Sequence, residues 1–243
     1  MSGKFMDSRL SKLLIGPFAR KNRIETGDYI LDDIRCFNDF FCRRIREGLR
    51  PVSMEMKDLI SPADGLLSTY RITSDTVLSV KQSSFNISKL LRDEALAKEF
   101  EGGYALVFRL CVEHYHRYIF FDSGKKLEDR VLPGFYHTVR PVALEEYPVF
   151  TENSRRYAVI DTENFGKAVQ MEVGATLVGK IVNERPEACE VRRGEEKGHF
   201  EYGGSTIIVL LQQGAAKLRE DIEVNLDGNV EIPVKMGEVI GRR

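Results

Sequence analysis

From Pro51 onward the chain is a succession of short Val- and Ile-rich runs separated by Gly, Asn or Asp, and this punctuation constrains the fold more than any other feature. The runs are Leu66–Ile72, Thr76–Val80, Tyr104–Val112, Tyr157–Asp161, Ala168–Val173, Ala175–Val182, Thr206–Leu211 and Val230–Val234. Segments this short and this rich in β-branched residues read as strands, and their close spacing favours antiparallel pairing. Asp227-Gly228 reads as a hairpin turn. A single helix is expected over 87–100.

The first 48 residues differ. Phe5, Met6, Leu10, Leu13, Leu14 and Phe18 recur at helical spacing. Ile34, Phe37, Phe40, Phe41 and Ile45 do the same over 31–46, and Gly48 with Pro51 marks the stop. The sequence therefore predicts an α+β, mainly β protein: an N-terminal helical segment (1–48) and an antiparallel β-rich catalytic domain (49–243).

Charge narrows the function. Across 243 residues, 36 Lys+Arg oppose 37 Asp+Glu, which argues against nucleic-acid binding by bulk electrostatics. The four cysteines form no C-x-x-C pair, so neither a disulfide scaffold nor a structural zinc site is expected. No run approaches the roughly 20 apolar residues of a membrane span. Yet the first 24 residues hold Lys4, Arg9, Lys12, Arg20, Lys21 and Arg23 against Asp7 alone. A basic amphipathic helix of this kind suits the interface of an anionic membrane; docking on the protein's own core is the plainer use of the same pattern.

Candidate chemistry is sparse. His114-Tyr115-His116 would place two imidazoles on one face of a strand, and His137 or Asp64 could complete a zinc site. A zinc hydrolase on a β scaffold using His114, His116 and His137 is thus one reading. Asp64, in Ser61-Pro62-Ala63-Asp64-Gly65, is either a turn residue or a carboxylate that orients a histidine. Gly203-Gly204-Ser205-Thr206 enters an apolar strand, and a bent backbone there would let the Ser205 hydroxyl attack the preceding carbonyl. There is no G-x-S-x-G elbow, no phosphate loop and no H-E-x-x-H.

Taken together, the motifs resemble the phosphatidylserine decarboxylase family of self-processing pyruvoyl enzymes. The resemblance lies in Asn38–Arg44 followed by Leu49-Arg50-Pro51, in Ser61–Gly65, in Val80-Lys81-Gln82 through Leu91, in Tyr115-His116-Arg117, in Val173-Gly174-Ala175, and in Gly194–Gly198 leading to Gly204-Ser205-Thr206. It implies self-cleavage between Gly204 and Ser205 into chains of 204 and 39 residues, with Ser205 converted to a covalent pyruvoyl cofactor. It implies decarboxylation of phosphatidylserine to phosphatidylethanolamine, a peripheral place on the cytoplasmic side of the cell membrane, a phospholipid substrate and a homodimer. By the same resemblance Asp64 orients the histidine that deprotonates Ser205, and His116 lies near the substrate carboxylate and the protonation step. Many members carry a second histidine where this chain has Ile119, and the sequence offers His137 as the replacement base. His114 stands in place of the family's usual Asp, Gly203 in place of the usual Leu, and His199 is expected to be a surface residue.

Overall fold

The structure, a computed structural model, describes residues 3–80, 83–134, 153–174, 180–203 and 205–243. A nine-stranded antiparallel sheet dominates. Its order is Cys189–Val191, Gly124–Lys126, Arg155–Thr162, Gly166–Gly174, Ser205–Leu211, Tyr104–Leu110, Gly65–Arg71 and Ile232–Val234, with Arg130–Leu132 pairing onto the Arg155 strand. The α+β, mainly β expectation is borne out. The Ser205–Leu211 strand is central and every residue in it is buried. Ile207, Val209 and Leu211 face one core, while Ile208 and Leu210 face the other. Both faces are covered, so the strand reads as an uninterrupted apolar run rather than an alternation.

A three-stranded sheet, Ile181–Asn183, Glu196–Phe200 and Arg117–Ile119, supplies Tyr118, Ile119 and Phe200 to the first of these cores. A buried ion pair ties it to the large sheet. Lys197 Nζ donates to both oxygens of Glu172 at 2.6 and 2.7 Å, and Asn183 Nδ2 donates to the same carboxylate at 3.1 Å. Asn183 also donates to Asp129, which accepts from the equally buried Lys126. Burying four charges is tolerable only because each is paired.

The expected helices are shorter and more broken. The N-terminal segment runs as Gly3–Met6, a 3₁₀ stretch Arg9–Leu14, and Ile15–Lys21. Its buried Ser11 hydroxyl donates to the Met6 and Ser8 carbonyls and accepts from Phe37 N–H, stitching the segment to its neighbour. The helix expected over 31–46 is confined to Phe37–Phe41. Asp39 accepts from the backbone N–H of both Arg35 and Cys36, which fixes the helix start at Cys36. Tyr29-Ile30 and Arg44-Ile45 pair as strands on either side. The helix expected over 87–100 is two, Ile87–Leu91 and Glu94–Lys98, broken where Arg92 takes a left-handed conformation (φ 52°) and Asp93 caps the second. Asp227-Gly228 is a turn but joins no pair of adjacent strands. Asp227 bridges to Tyr70, and a Cβ on Gly228 would meet the Tyr70 ring at 2.1 Å. Of the expected strand 175–182, only Ile181–Asn183 lies within the described residues as a strand.

Candidate active site

Ser205 is the first residue of the central strand. It sits between Leu110 and Gly174 in the ladders and is 2% exposed. Its hydroxyl donates to the Gly203 carbonyl at 3.3 Å. Gly203 has φ 151°, a value a side chain would resist and glycine accepts. Gly204 lies outside the described residues. The strands before residues 201–203 and from Ser205 are both held through the Gly166–Gly174 strand. Ser205 pairs with Gly174, and the Glu196–Phe200 strand is tied by Lys197 to Glu172.

An aromatic wall backs this segment. The Tyr202 ring meets Phe37 and Phe41 edge-on at 5.2 and 5.3 Å between centroids, and Phe41 stacks on His116 at 3.9 Å. Met6, Leu14, Ile15 and Phe18 of the N-terminal segment pack against the same cluster. Tyr202 N–H donates to Asn38 Oδ1, and Cys42 Sγ lies 3.3 Å from the Phe200 carbonyl. Burial first, with Glu201 and Asp39 nearby, pushes the Cys42 thiol up to about 12, so it stays protonated.

His116 is 1% exposed and not on a strand, since that strand begins at Arg117. Its Nδ1 lies 3.0 Å from the His114 carbonyl, and among the described residues its buried Nε2 has no hydrogen-bond partner. Burial first, then the Arg43 charge, pulls it down to about 3, so the ring is neutral at physiological pH. His114 belongs to a turn. Its N–H donates to the Cys111 carbonyl, and its Nδ1 accepts from Cys111 N–H at 2.9 Å. The two-apart spacing of these histidines therefore does not put them on one strand face.

Asp64 is buried, and both of its carboxylate oxygens accept from protein donors. Arg50 Nε and Nη2 donate to its two oxygens at 2.7 and 2.5 Å, and Met236 N–H donates to Oδ1 at 2.9 Å. Arg50, fourteen residues upstream, stands in the Leu49-Arg50-Pro51 motif, but nothing local in the sequence marks it as the partner of Asp64. Burial first holds His114 below the usual histidine value, with the Arg109 and Arg50 charges adding to it against those of Glu113 and Asp64. His199 is partly buried rather than on the surface. Burial, and Arg117 after it, pull it down to about 4. His137 lies outside the described residues.

Among the described residues, His114, His116 and Asp64 do not form a group with metal-like spacing, and His137 lies outside those residues. Among the described residues, the one group with metal-like spacing is Glu184, Glu196 and His199. There Arg117 and Arg44 pair with Glu196 and oppose a cation.

The sequence profile of the phosphatidylserine decarboxylase family matches residues 37–242. This chain belongs to the phosphatidylserine decarboxylase family. Among its relatives, a phosphatidylserine decarboxylase proenzyme 2 from Clostridium acetobutylicum is 42% identical over 98% of this chain and 81% of its own length. A phosphatidylserine decarboxylase proenzyme from Ruminiclostridium cellulolyticum is 38% identical over 99% of this chain and 82% of its own. A Clostridium botulinum proenzyme is also 38% identical, over 99% and 83%. The profile match begins at Phe37, the first residue of the helix whose aromatic side chains wall the Ser205 segment. Family membership therefore covers Asp64, His116 and Ser205.

Proposed function

We propose that this chain cuts itself between Gly204 and Ser205 and, as the matured enzyme, decarboxylates phosphatidylserine to phosphatidylethanolamine. The observation that carries the reading is Ser205 itself: a buried hydroxyl two residues after a positive-φ glycine, at the head of a fully locked strand, within the family match. Ser205 Oγ adds to the Gly204 carbonyl carbon, giving up its proton to a base. The Gly204–Ser205 C–N bond breaks, freeing the Ser205 amine and leaving an ester. Loss of the Ser205 Cα proton then expels the Gly204 carboxylate. Water adds, ammonia leaves, and a pyruvoyl group caps residues 205–243.

The site suits such a group. Ser205 is buried, and the Cys42 thiol beside the aromatic wall is held protonated, which keeps it from attacking a carbonyl. When formed, the pyruvoyl carbonyl supplies the electron sink that decarboxylation requires. Asp64, His116 and His137 are assigned to proton handling, with Asp64 orienting a histidine and His137 as the base for Ser205. His116, neutral and buried, is suited to the later protonation step.

The N-terminal segment fits a membrane role. Leu10 and Leu13 are 70% and 79% exposed, while Met6 on the same segment packs inward. Arg9 and Lys12 are exposed beside them. Apolar side chains in water next to cations are what a peripheral anchor presents to an anionic leaflet. Among the described residues, no helix is long and apolar enough to cross a membrane.

The test is carbon dioxide release from carboxyl-labelled phosphatidylserine in vesicles. Ser205→Ala is expected to abolish it and to leave one uncut chain. In His137→Ala the chain should stay uncut, while His114→Ala and His199→Ala should still be cut. Full turnover by Ser205→Ala would sink the proposal.

A further inference from the structure

Arg43 is the largest unexplained charge near the site. It is 1% exposed, yet among the described residues its guanidinium meets no carboxylate. Instead it lies between two rings, 4.3 Å from the Tyr29 centroid and 5.0 Å from that of Phe40. It donates only to backbone carbonyls: Phe40 at 3.3 Å, Glu113 at 3.0 Å and His114 at 3.2 Å. A buried cation without a counter-charge is costly, so its retention calls for a reason beyond packing.

The His114 carbonyl supplies the reason. It accepts from Arg43 Nη2 on one side and lies 3.0 Å from His116 Nδ1 on the other. A carbonyl oxygen has two lone pairs and no proton, so it can hold both contacts only if His116 Nδ1 carries hydrogen. In a neutral imidazole the lone pair then resides on Nε2. Among the described residues that atom is buried and has no hydrogen-bond partner. We propose that Arg43 is a positioning residue that fixes His116 in the Nδ1–H tautomer, by clamping the carbonyl to which Nδ1 donates, and so leaves Nε2 as the free base.

The same cation opposes protonation of the ring. Among the described residues, Arg43 and His114 are the charged or titratable groups acting on it, and Phe41 covers its face. An arginine suits the task because its planar fork holds three carbonyls at once, Phe40 through Nη1 and Glu113 with His114 through Nη2, a spread that a single lysine nitrogen does not match. The inference rests on His116 taking part in the reaction, but its structural half is observable without turnover.

The experiment is long-range ¹H–¹⁵N spectroscopy of ¹⁵N-histidine-labelled full-length chain, with His116→Gln used to assign the ring. At pH 7 the wild type should show His116 Nδ1 protonated and Nε2 not. Arg43→Met should mix the tautomers, raise the ring's protonation midpoint by at least one pH unit, and slow carbon dioxide release at least tenfold. Arg43→Lys should keep the midpoint low while losing the tautomer bias, separating charge from clamp. An Nε2–H tautomer in the wild type would overturn the inference, as would a folded Arg43→Met or Arg43→Lys with an unaltered tautomer. If Arg43→Met does not fold, the wild-type and Arg43→Lys spectra carry the test. Full activity in His116→Gln would instead defeat the catalytic role of His116 and leave the tautomer assignment standing.

Discussion

Acid should destabilise this fold through its buried imidazoles, and His116 permits a worked estimate. The ring titrates at about 3 in the fold, against about 6.5 when unfolded. Between these values the unfolded chain binds a proton that the folded chain refuses, so stability falls as pH drops below about 6.5 and levels off near 3. From pH 7 to pH 5, linkage gives a loss of about 2 kcal/mol from His116 alone. For a chain of this length that corresponds to roughly 4–8 °C in melting temperature. His199, titrating at about 4, loses stability in the same direction. The assay is urea unfolding of uncut Ser205→Ala at both pH values, with and without His116→Gln. Carboxylates titrate alike in both backgrounds and cancel. The drop should be about 2 kcal/mol smaller when His116 is absent. Equal drops would show that His116 is protonated in the fold, and the account of a dry, cation-flanked imidazole would be wrong.

Three further outcomes follow from particular contacts. Lys197→Met strands the fully buried Glu172 carboxylate and should cost about 3–5 kcal/mol in chemical denaturation, much of it recovered in Glu172→Leu/Lys197→Met; a neutral single variant would contradict the pairing. Gly198→Ala places a Cβ 2.1 Å from the Val182 carbonyl, so it should disturb the strand leading to Ser205 and slow chain cleavage, read on a gel time course. Leu10→Asp/Leu13→Asp should leave cleavage intact but weaken sedimentation with anionic vesicles at least tenfold, since each leucine contributes roughly 1.5–3 kcal/mol on burial; unchanged sedimentation would remove the membrane role of this segment.

The sheet was legible because its central strands are covered on both faces, so Thr206–Leu211 and Tyr104–Val112 carry dense apolar runs that nothing else would need. The helices were less so. Hydrophobic spacing over 31–46 is compatible with one long helix, and only the capture of two N–H groups by Asp39 shows where it begins. In the site, Ser205 stood out by its glycines, and Asp64 and His116 by their motifs. Their partners did not, because Arg50 meets Asp64 across a loop and Arg43 meets His114 from 71 residues away. Alternate spacing puts His114 and His116 on a shared face only if they lie on a strand, and the strand starts after them, at Arg117.

Intact mass measurement of the purified protein tests the central claim most directly. Self-cleavage at Gly204–Ser205 predicts two species, residues 1–204 and a 39-residue fragment from 205 to 243 whose N-terminus bears a pyruvoyl in place of serine. A single chain of 27.7 kDa, stable under conditions where the protein is folded, would contradict it.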